Sequence, residues 1–328
     1  MTANFRTLRS YAIPVALLDE LAFWPNEDSA NPDSAVIEAL QPAMAQFPGA
    51  MMLMASSPYA RRGELWRAFK ENHGHDDAPV LVWQAATRTM NPGISQKFID
   101  RAYARDRASA AAEYGAQWRT DVEQLLTQEA LAACVETGVH ERPWEPGERY
   151  FAFFDGAGGS GTDSAALAIG KQEGNKAVVV AVRERRPPFS PDDMISEFVG
   201  LLRSYGLRSV TGDRWAGEFP REGFRRQGVE YQVAKLPKSD LYREMVAIVN
   251  SGRLVMLDHQ RAIAQLLGLE RRTARGGRDS IDAPHGQPED AANVIAGVTN
   301  LILGRQSFEA LPLAGPTIIR GRPNVVVG

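Results

Sequence analysis

The sequence lacks several features that would place it in common protein classes. Cys134 is the only cysteine among 328 residues, so no disulfide can form within the chain. No apolar run approaches the roughly 20 residues of a membrane-spanning helix, and the nearest candidate, residues 294–304, is too short. The first residues show no apolar core followed by small residues, as a secretory signal has. We therefore expect a cytoplasmic protein without membrane contact.

The chain also lacks an overall excess of positive charge. Its formal net charge is −3. Between residues 214 and 278, however, 13 Lys and Arg face seven Asp and Glu, a local charge of +6, so the rest of the chain carries −9. A basic segment near acidic residues suits a phosphodiester substrate, whereas a solvated charged surface is the alternative.

Residues 1–116 alternate short apolar runs with helical patterns. Three apolar runs predict buried strands, namely 13–20, 50–58 and 78–87. Two intervening segments predict helices, namely 32–47 and 61–74. This order is typical of parallel strands with covering helices. Residues 117–148 lose the pattern and hold prolines, glycines and charges, which predicts a linker.

A second pattern begins at residue 149. Three strands joined by short loops come first, and helices then alternate with strands up to a last helix that ends near Gly304. This order predicts a mixed sheet with the first strand in the middle and the fourth strand beside it. Residues 305–328 have no packing pattern and are predicted to form a tail.

Three aspartates are predicted to meet at one edge of this sheet. Asp155 ends the first strand in YFAFFD, Asp213 ends the fourth strand in SVTGD, and Asp290 lies in the first turn of the last helix. Carboxylates so close together raise each other's pKa unless a cation neutralises them. Oxygen ligands suit Mg²⁺ or Mn²⁺, and two such ions about 3.5–4 Å apart are the usual arrangement for phosphodiester hydrolysis.

Other interpretations of these acids exist. Asp155 and Asp213 could each make a local turn hydrogen bond, and Asp290 could compensate the helix dipole. Asp163, which opens the second strand, is a candidate fourth ligand. The glycines of GAGGSG, which follow Asp155, would let a phosphate or a cation approach the backbone closely. His285 precedes Asp290 by five residues and could orient water or contact a phosphate.

Three segments together resemble the large terminase subunit of tailed bacteriophages: YFAFFDGAGGSGTDSAALAIG, SVTGDRW and DSIDAPHGQPEDAANVIAG. They are similar to the acidic motifs of its nuclease domain, and the resemblance implies an RNase H-like fold with Asp155, Asp213 and Asp290 as the catalytic acids. Many members have a histidine–aspartate–aspartate run where this chain has PED, so the last acid alone is matched securely.

The N-terminal part resembles the same family. VALLDELAFW is similar to its Walker B strand, which implies that Asp19 lies near Mg²⁺ and that Glu20 polarises water. MASSPYARRGELW resembles the coupling motif, with Ser56 and Ser57 after the strand. The resemblance therefore implies a partial P-loop-type parallel α/β ATPase domain at 1–116, a linker at 117–148, an RNase H-like nuclease domain at 149–304 and a tail at 305–328.

A phosphate-binding loop of the form G-x-x-x-x-G-K-[ST] is missing from the sequence. Without its backbone donors and lysine, the β- and γ-phosphates of ATP have no cradle. We therefore interpret the chain as a truncated terminase that does not turn over ATP by itself.

The first functional hypothesis is a DNA endonuclease that uses two Mg²⁺ or Mn²⁺ ions. Its family implies double-stranded DNA as substrate, packaging as the process, and the small terminase subunit and capsid portal as partners. Basic residues proposed to contact the DNA backbone are Arg214, Arg221, Arg225, Arg226, Lys235 and Lys238. The rival hypotheses are a non-enzymatic prophage remnant that binds DNA or a portal, and a nuclease of the RNase H or resolvase type.

Overall fold

The computed structural model describes residues 11–24, 32–159, 163–213, 218–273, 279–284 and 286–304. The strands are β1 (Val15–Asp19), β2 (Met51–Ala55), β3 (Val122–Gln124), β4 (Val135–Glu136), β5 (Tyr150–Asp155), β6 (Ala165–Glu173), β7 (Lys176–Arg185), β8 (Ser209–Gly212), β9 (Glu230–Val233), β10 (Leu254–Leu257), β11 (Glu270–Arg272) and β12 (Ser280–Asp282). The α-helices are α1 (Pro32–Met44), α2 (Gly63–Asn72), α3 (Thr87–Met90), α4 (Gln96–Arg105), α5 (Arg107–Glu113), α6 (Gln128–Ala132), α7 (Pro191–Ser204), α8 (Glu218–Arg226), α9 (Lys238–Asn250), α10 (Gln260–Gly268) and α11 (Asp290–Leu303).

In the N-terminal half, β1 and β2 pair in parallel, as the apolar runs predicted. Alternate residues of β1, Ala16 and Leu18, are buried in a small core with side chains of α1. The opposite face of the pair is apolar but exposed, and the side chain of Leu17 is 73% accessible. The sheet is therefore covered on one face by the described residues.

The third strand predicted at 78–87 is wrong. This segment forms no strand, and Leu81 and Trp83 are 94% and 80% exposed. An apolar run supplies strand propensity, but a strand also needs a neighbour with free backbone groups. In the described part of this half, the only ladder is the one between β1 and β2.

The segment 117–148 contributes two short strands to sheets further along the chain. β3 pairs with β11 in a three-stranded sheet whose order is β12–β11–β3. β4 pairs in parallel with β10 at the edge of the large sheet. The residues predicted to be a linker therefore pack against the C-terminal half.

The C-terminal half is built on a seven-stranded sheet in the order β4–β10–β7–β6–β5–β8–β9. β5, β6 and β7 pair antiparallel, whereas β8 pairs in parallel with β5 and with β9. The mixed sheet with β5 in the middle and β8 beside it is thus confirmed, and this is the order of an RNase H-like fold. The strand β10, which sequence reasoning passed over, adds to the edge of β7.

Helices cover both faces of this sheet. Side chains of α7 and α8 share a core with one set of alternating strand residues, among them Phe154 and Leu167. Side chains of α9, α10 and α11 share a second core with the other set, among them Phe153 and Ala166. The predicted cap of α7 is confirmed, since Ser190 Oγ accepts a hydrogen bond from Asp193 N at 3.4 Å.

Helix α11 lies very close to β5. A Cβ atom placed on Gly297 would lie 2.2 Å from Cγ of Phe153, whose ring is 1% exposed. Glycine is therefore required where this helix crosses the central strand. No helix in the described ranges is long and apolar enough to span a membrane.

Candidate functional site

Asp155 lies at the end of the central strand. Since side chains alternate along a strand, Asp155 points to the same face as Phe153, the face covered by α11. Asp155 is directly opposite Ala166 in β6, and Ala166 is directly opposite Glu184 in β7. Asp155 and Glu184 therefore lie on one row and one face of the sheet.

Asp290 is joined to the same strand end through helix α11. Asp290 Oδ2 accepts a hydrogen bond of 3.1 Å from Ser164 N, just before β6. One turn after Asp290, the amide Nδ2 of Asn293 donates a hydrogen bond of 2.7 Å to Asp155 Oδ2. Residues three apart lie on the same side of a helix, so Asp290 and Asn293 both face the tip of β5.

Asp213 follows the neighbouring strand. Gly212, the last residue of β8, is opposite Phe154 in the parallel ladder, so Asp213 comes after β8 where Asp155 ends β5. Neighbouring strands lie about 4.8 Å apart. The backbone oxygen of Asp213 accepts a hydrogen bond of 3.0 Å from Tyr231 Oη. The three predicted acids are therefore brought to one edge of the sheet.

Burial and mutual repulsion make these carboxylates hard to ionise. Burial raises the pKa of Asp155 to about 7, and the charges of Asp290 and Asp213 raise it further, against the hydrogen bond from Asn293. Burial also raises the pKa of Asp290 to about 6, with Glu184 and Asp163 adding to the effect and the hydrogen bond from Ser164 opposing it. A cation at this edge would stabilise the ionised forms.

The donor set fits a hard divalent cation, because it consists of carboxylate oxygens at a partly buried edge. Within the described residues, however, no three His, Cys, Asp or Glu side chains are grouped closely enough to hold one ion. Mg²⁺ usually keeps several waters and takes one or two protein carboxylates, so a preformed cage of three is not required.

The residue before Asp290 is held by three donors from separate elements. Glu289 accepts hydrogen bonds from Lys238 Nζ, from Tyr242 Oη at 3.2 Å and from Ala283 N at 3.2 Å. Lys238 also pairs with Asp282 at 2.6 Å. Burial raises the pKa of Glu289, and Lys238 opposes that rise. These contacts fix the start of α11, which carries Asp290.

Asp163 and Glu184 are further acids near the site. Asp163 is exposed, and its charge acts on Asp290. Glu184 is largely buried and pairs with Arg261, whose Nε lies 2.8 Å from Glu184 Oε2. Glu184 was not predicted, although counting the antiparallel register from Asp155 would have placed it on the same row.

The basic residues predicted to contact DNA differ in their surroundings. Arg225, Arg226 and Lys235 are exposed. Arg221 lies over the ring of Tyr231, with 5.9 Å between the guanidinium carbon and the ring centroid. Lys238 is already paired with two carboxylates, as described above. The predicted contacts Arg214 and His285 lie outside the described residues.

The four residues predicted for an ATPase-like site lie together in the N-terminal half. Asp19 ends β1 opposite Ala55, the last residue of β2, and Ser56 follows. Ser56 Oγ accepts a hydrogen bond from Ala22 N at 3.2 Å and donates one to the Ser57 carbonyl at 3.1 Å. A cavity of about 580 Å³ is lined by Asp19, Glu20, Ser56 and Ser57. Glu20 has the left-handed φ of 53°.

A buried carboxylate joins the two halves. Glu270 of β11 has no exposed side-chain surface and accepts hydrogen bonds of 2.8 Å from both Tyr59 Oη and Arg62 Nη2. Arg272 Nη2 approaches Glu270 Oε2 at 3.3 Å. Burial and the neighbouring Glu270 raise the pKa of Tyr59 to about 12.

Sequence reasoning missed Asn293 as well as Glu184. Asn293 is 1% exposed and lies within the apolar pattern of the last helix, where a polar residue is unusual. Its position three residues after Asp290 was the available signal, because that spacing places both side chains on one side of the helix.

Solved structures similar to this chain are large terminases and their nuclease domains. The nuclease of the large terminase from thermophilic phage G20c matches with a TM-score of 0.47 and 14% identity over 53% of this chain and 96% of that one. The HK97 bacteriophage large terminase gives 0.45 and 14% over 89% and 71%, and a large terminase from another thermophilic bacteriophage gives 0.45 and 13% over 91% and 71%. No family model and no curated protein matches the chain. The solved structures come from the family that the acidic motifs resemble.

Proposed function

We propose that the C-terminal half, residues 149–304, is a nuclease that hydrolyses DNA phosphodiester bonds with the help of divalent cations. The observation that supports this proposal is the convergence of Asp155, Asp213 and Asp290, which are far apart in the chain, at one edge of an RNase H-like sheet. Buried carboxylates with raised pKa values, linked to one another by electrostatic repulsion, are typical of functional sites.

In this proposal Asp155, Asp213 and Asp290 hold Mg²⁺ or Mn²⁺, with Asp163 as a further candidate ligand. When bound, two such ions would supply an activated water and stabilise the leaving oxygen. The protein contributes the orientation of its carboxylates: the sheet fixes Asp155, and the contacts of Glu289 fix the helix start at Asp290. The exposed Arg225, Arg226 and Lys235 would bind the DNA backbone without reading its sequence.

We further propose that this nuclease serves in the packaging of phage DNA, with the small terminase subunit and the capsid portal as partners. The N-terminal residues 1–116 would be an ATPase-like domain, the segment 117–148 a linker, and 305–328 a tail. Asp19, Glu20, Ser56 and Ser57 share one cavity in the ATPase-like part. Because the sequence holds no phosphate-binding loop, we expect no ATP turnover by this chain alone.

A plasmid-nicking assay tests the nuclease function. Supercoiled DNA is incubated with the full chain and Mn²⁺ or Mg²⁺, and relaxed and linear products are measured with time. We expect cleavage that EDTA stops and that Asp213→Asn abolishes, with an unchanged circular dichroism spectrum. Asp76→Asn, at an exposed position of the N-terminal half, is the matched control. Full cleavage by Asp213→Asn would contradict the proposed site.

The absence of a preformed three-carboxylate cluster among the described residues favours one alternative. In that alternative the chain binds DNA or a portal without cleaving. It predicts DNA binding in a gel-shift assay together with no nicking at any Mn²⁺ concentration. A nuclease of the RNase H or resolvase type would instead prefer an RNA–DNA hybrid or a four-way junction to plasmid DNA, which parallel reactions would reveal.

A further inference from the structure

Asn293 is the one polar side chain that connects the last helix directly to the carboxylate at the tip of β5, as far as the described residues show. Its Nδ2 lies 2.7 Å from Asp155 Oδ2, and the residue is 1% exposed. Its other amide atom, Oδ1, is buried and has no hydrogen-bond partner among the described residues. A buried polar group without a partner is costly, so a purely structural role would not favour asparagine at this position.

We infer that Asn293 is a positioning residue, which orients the Asp155 carboxylate so that its Oδ1 is directed towards a divalent cation. This inference rests on the proposed function. Carboxylates that bind metal ions are commonly held by a second hydrogen-bonded residue, and the loss of that residue typically lowers metal affinity about 10- to 100-fold.

Two features of the fold make this role specific to Asn293. The glycine at 297 lets α11 approach β5 closely, so the short side chain of asparagine spans the gap. The hydrogen bond reaches only one oxygen of Asp155, which leaves the other available. Asn293 also follows Asp290 by one helical turn, so a single rigid helix sets the positions of both carboxylates relative to each other.

The experiment measures Mn²⁺-dependent thermal stabilisation of the full chain, which does not depend on cleavage. Asn293→Leu keeps a similar volume but removes both polar atoms of the amide. The matched control is Thr299→Val on the same helix, because Thr299 is fully buried and its hydroxyl also has no described partner. We expect Asn293→Leu to raise the half-saturating Mn²⁺ concentration at least tenfold, whereas Thr299→Val leaves it unchanged.

A second readout separates positioning from structure. At saturating Mn²⁺ the nicking rate of Asn293→Leu should recover most of the wild-type rate, because the ion itself then holds the carboxylate. If Asn293→Leu does not fold, Asn293→Ser and Asn293→Ala replace it, and serine should restore at least threefold of the Mn²⁺ affinity that alanine loses.

Three outcomes overturn the inference. The first is a half-saturating Mn²⁺ concentration in Asn293→Leu equal to that of the wild type. The second is an equal change in Thr299→Val. The third is a wild type that shows neither Mn²⁺-dependent stabilisation nor cleavage, which would remove the proposed function as well and is therefore distinguishable from the first two.

Discussion

Tyr59 donates a hydrogen bond of 2.8 Å to Oε2 of Glu270, although the two residues are 211 positions apart in the chain. Arg62, from the same loop as Tyr59, donates to the other oxygen at 2.8 Å. Glu270 belongs to β11, whose neighbour β12 leads towards the helix that carries Asp290. The two halves of the molecule are thus joined by one buried carboxylate close in the chain to the candidate site.

Removal of the Glu270 carboxylate should destabilise the protein strongly. Glu270→Ala leaves the guanidinium of Arg62 without its partner, and breaking a buried ion pair typically costs about 3–5 kcal/mol. Tyr59→Phe removes one hydrogen bond to the same carboxylate and should cost about 1–2 kcal/mol. Urea denaturation followed by tryptophan fluorescence measures both, with Tyr11→Phe, at an exposed position, as the control. Equal midpoints for all three variants would contradict the contact.

Asp155→Asn should stabilise the protein when metal is absent. Because the pKa of Asp155 is about 7 in the folded protein and about 4 when unfolded, the folded state binds the proton more tightly. The free energy of unfolding should therefore fall as pH rises from about 4 to 7, and asparagine should remove most of this slope. In EDTA at pH 8 we expect the variant to melt about 2–6 °C above the wild type.

Excess Mn²⁺ should abolish or reverse that difference, since a cation stabilises the charged carboxylate of the wild type alone. Asp76→Asn should stay within about 0.5 kcal/mol of the wild type under all conditions, as a substitution on an exposed surface does. A wild type whose melting temperature in EDTA rises from pH 5 to 8 would contradict the raised pKa.

Lys238 and Lys235 should respond differently to replacement by methionine. Lys238 is paired with Asp282 and Glu289, so Lys238→Met leaves buried carboxylate charge unpaired and should cost about 3 kcal/mol of stability. Lys235 is exposed, and Lys235→Met should keep stability within about 0.5 kcal/mol. If Lys235 contacts a phosphate, its removal lowers the salt dependence of DNA binding by about one unit. Thermal melts and gel shifts at several salt concentrations measure both effects.

Gly297→Ala should destabilise the protein although alanine favours helices. Alanine gains about 1 kcal/mol in helix propensity over glycine. The added methyl group would meet the buried ring of Phe153 at 2.2–2.4 Å, and overpacking in a core typically costs about 1–3 kcal/mol. We expect a net loss of about 1 kcal/mol or more, together with weaker Mn²⁺ binding because α11 moves away from β5. Gly200→Ala on α7, where the new methyl group meets nothing within 4 Å, is the matched control and should be neutral or stabilising.

The central part of the fold was predictable because its signals are local. Three strands joined by short loops must pair with their neighbours in sequence, and this placed β5 between β6 and β8. The position of Asp155 at the strand end and that of Asp290 in the first helical turn then followed. Their convergence required only the topology.

Other features depended on contacts that no local pattern records. The run that contains Leu81 and Trp83 has the composition of a strand but no neighbouring strand in the described structure. β10 is only four residues long, and its partner β7 lies far back in the chain. The contact of Tyr59 with Glu270 depends on two distant segments meeting, and the role of Asn293 depends on how closely a helix approaches a sheet.

The place of β5 in the sheet limits how the acidic residues can gather around a cation. Asp155 is the terminal residue of a strand that is hydrogen-bonded to β6 on one edge and to β8 on the other. Displacement of this strand would break two ladders at once, whereas Asp213 follows its strand and Asp290 begins a helix after a loop. Any rearrangement that brings the three carboxylates closer must therefore come from the segments of Asp213 and Asp290, with Asp155 as the stationary member.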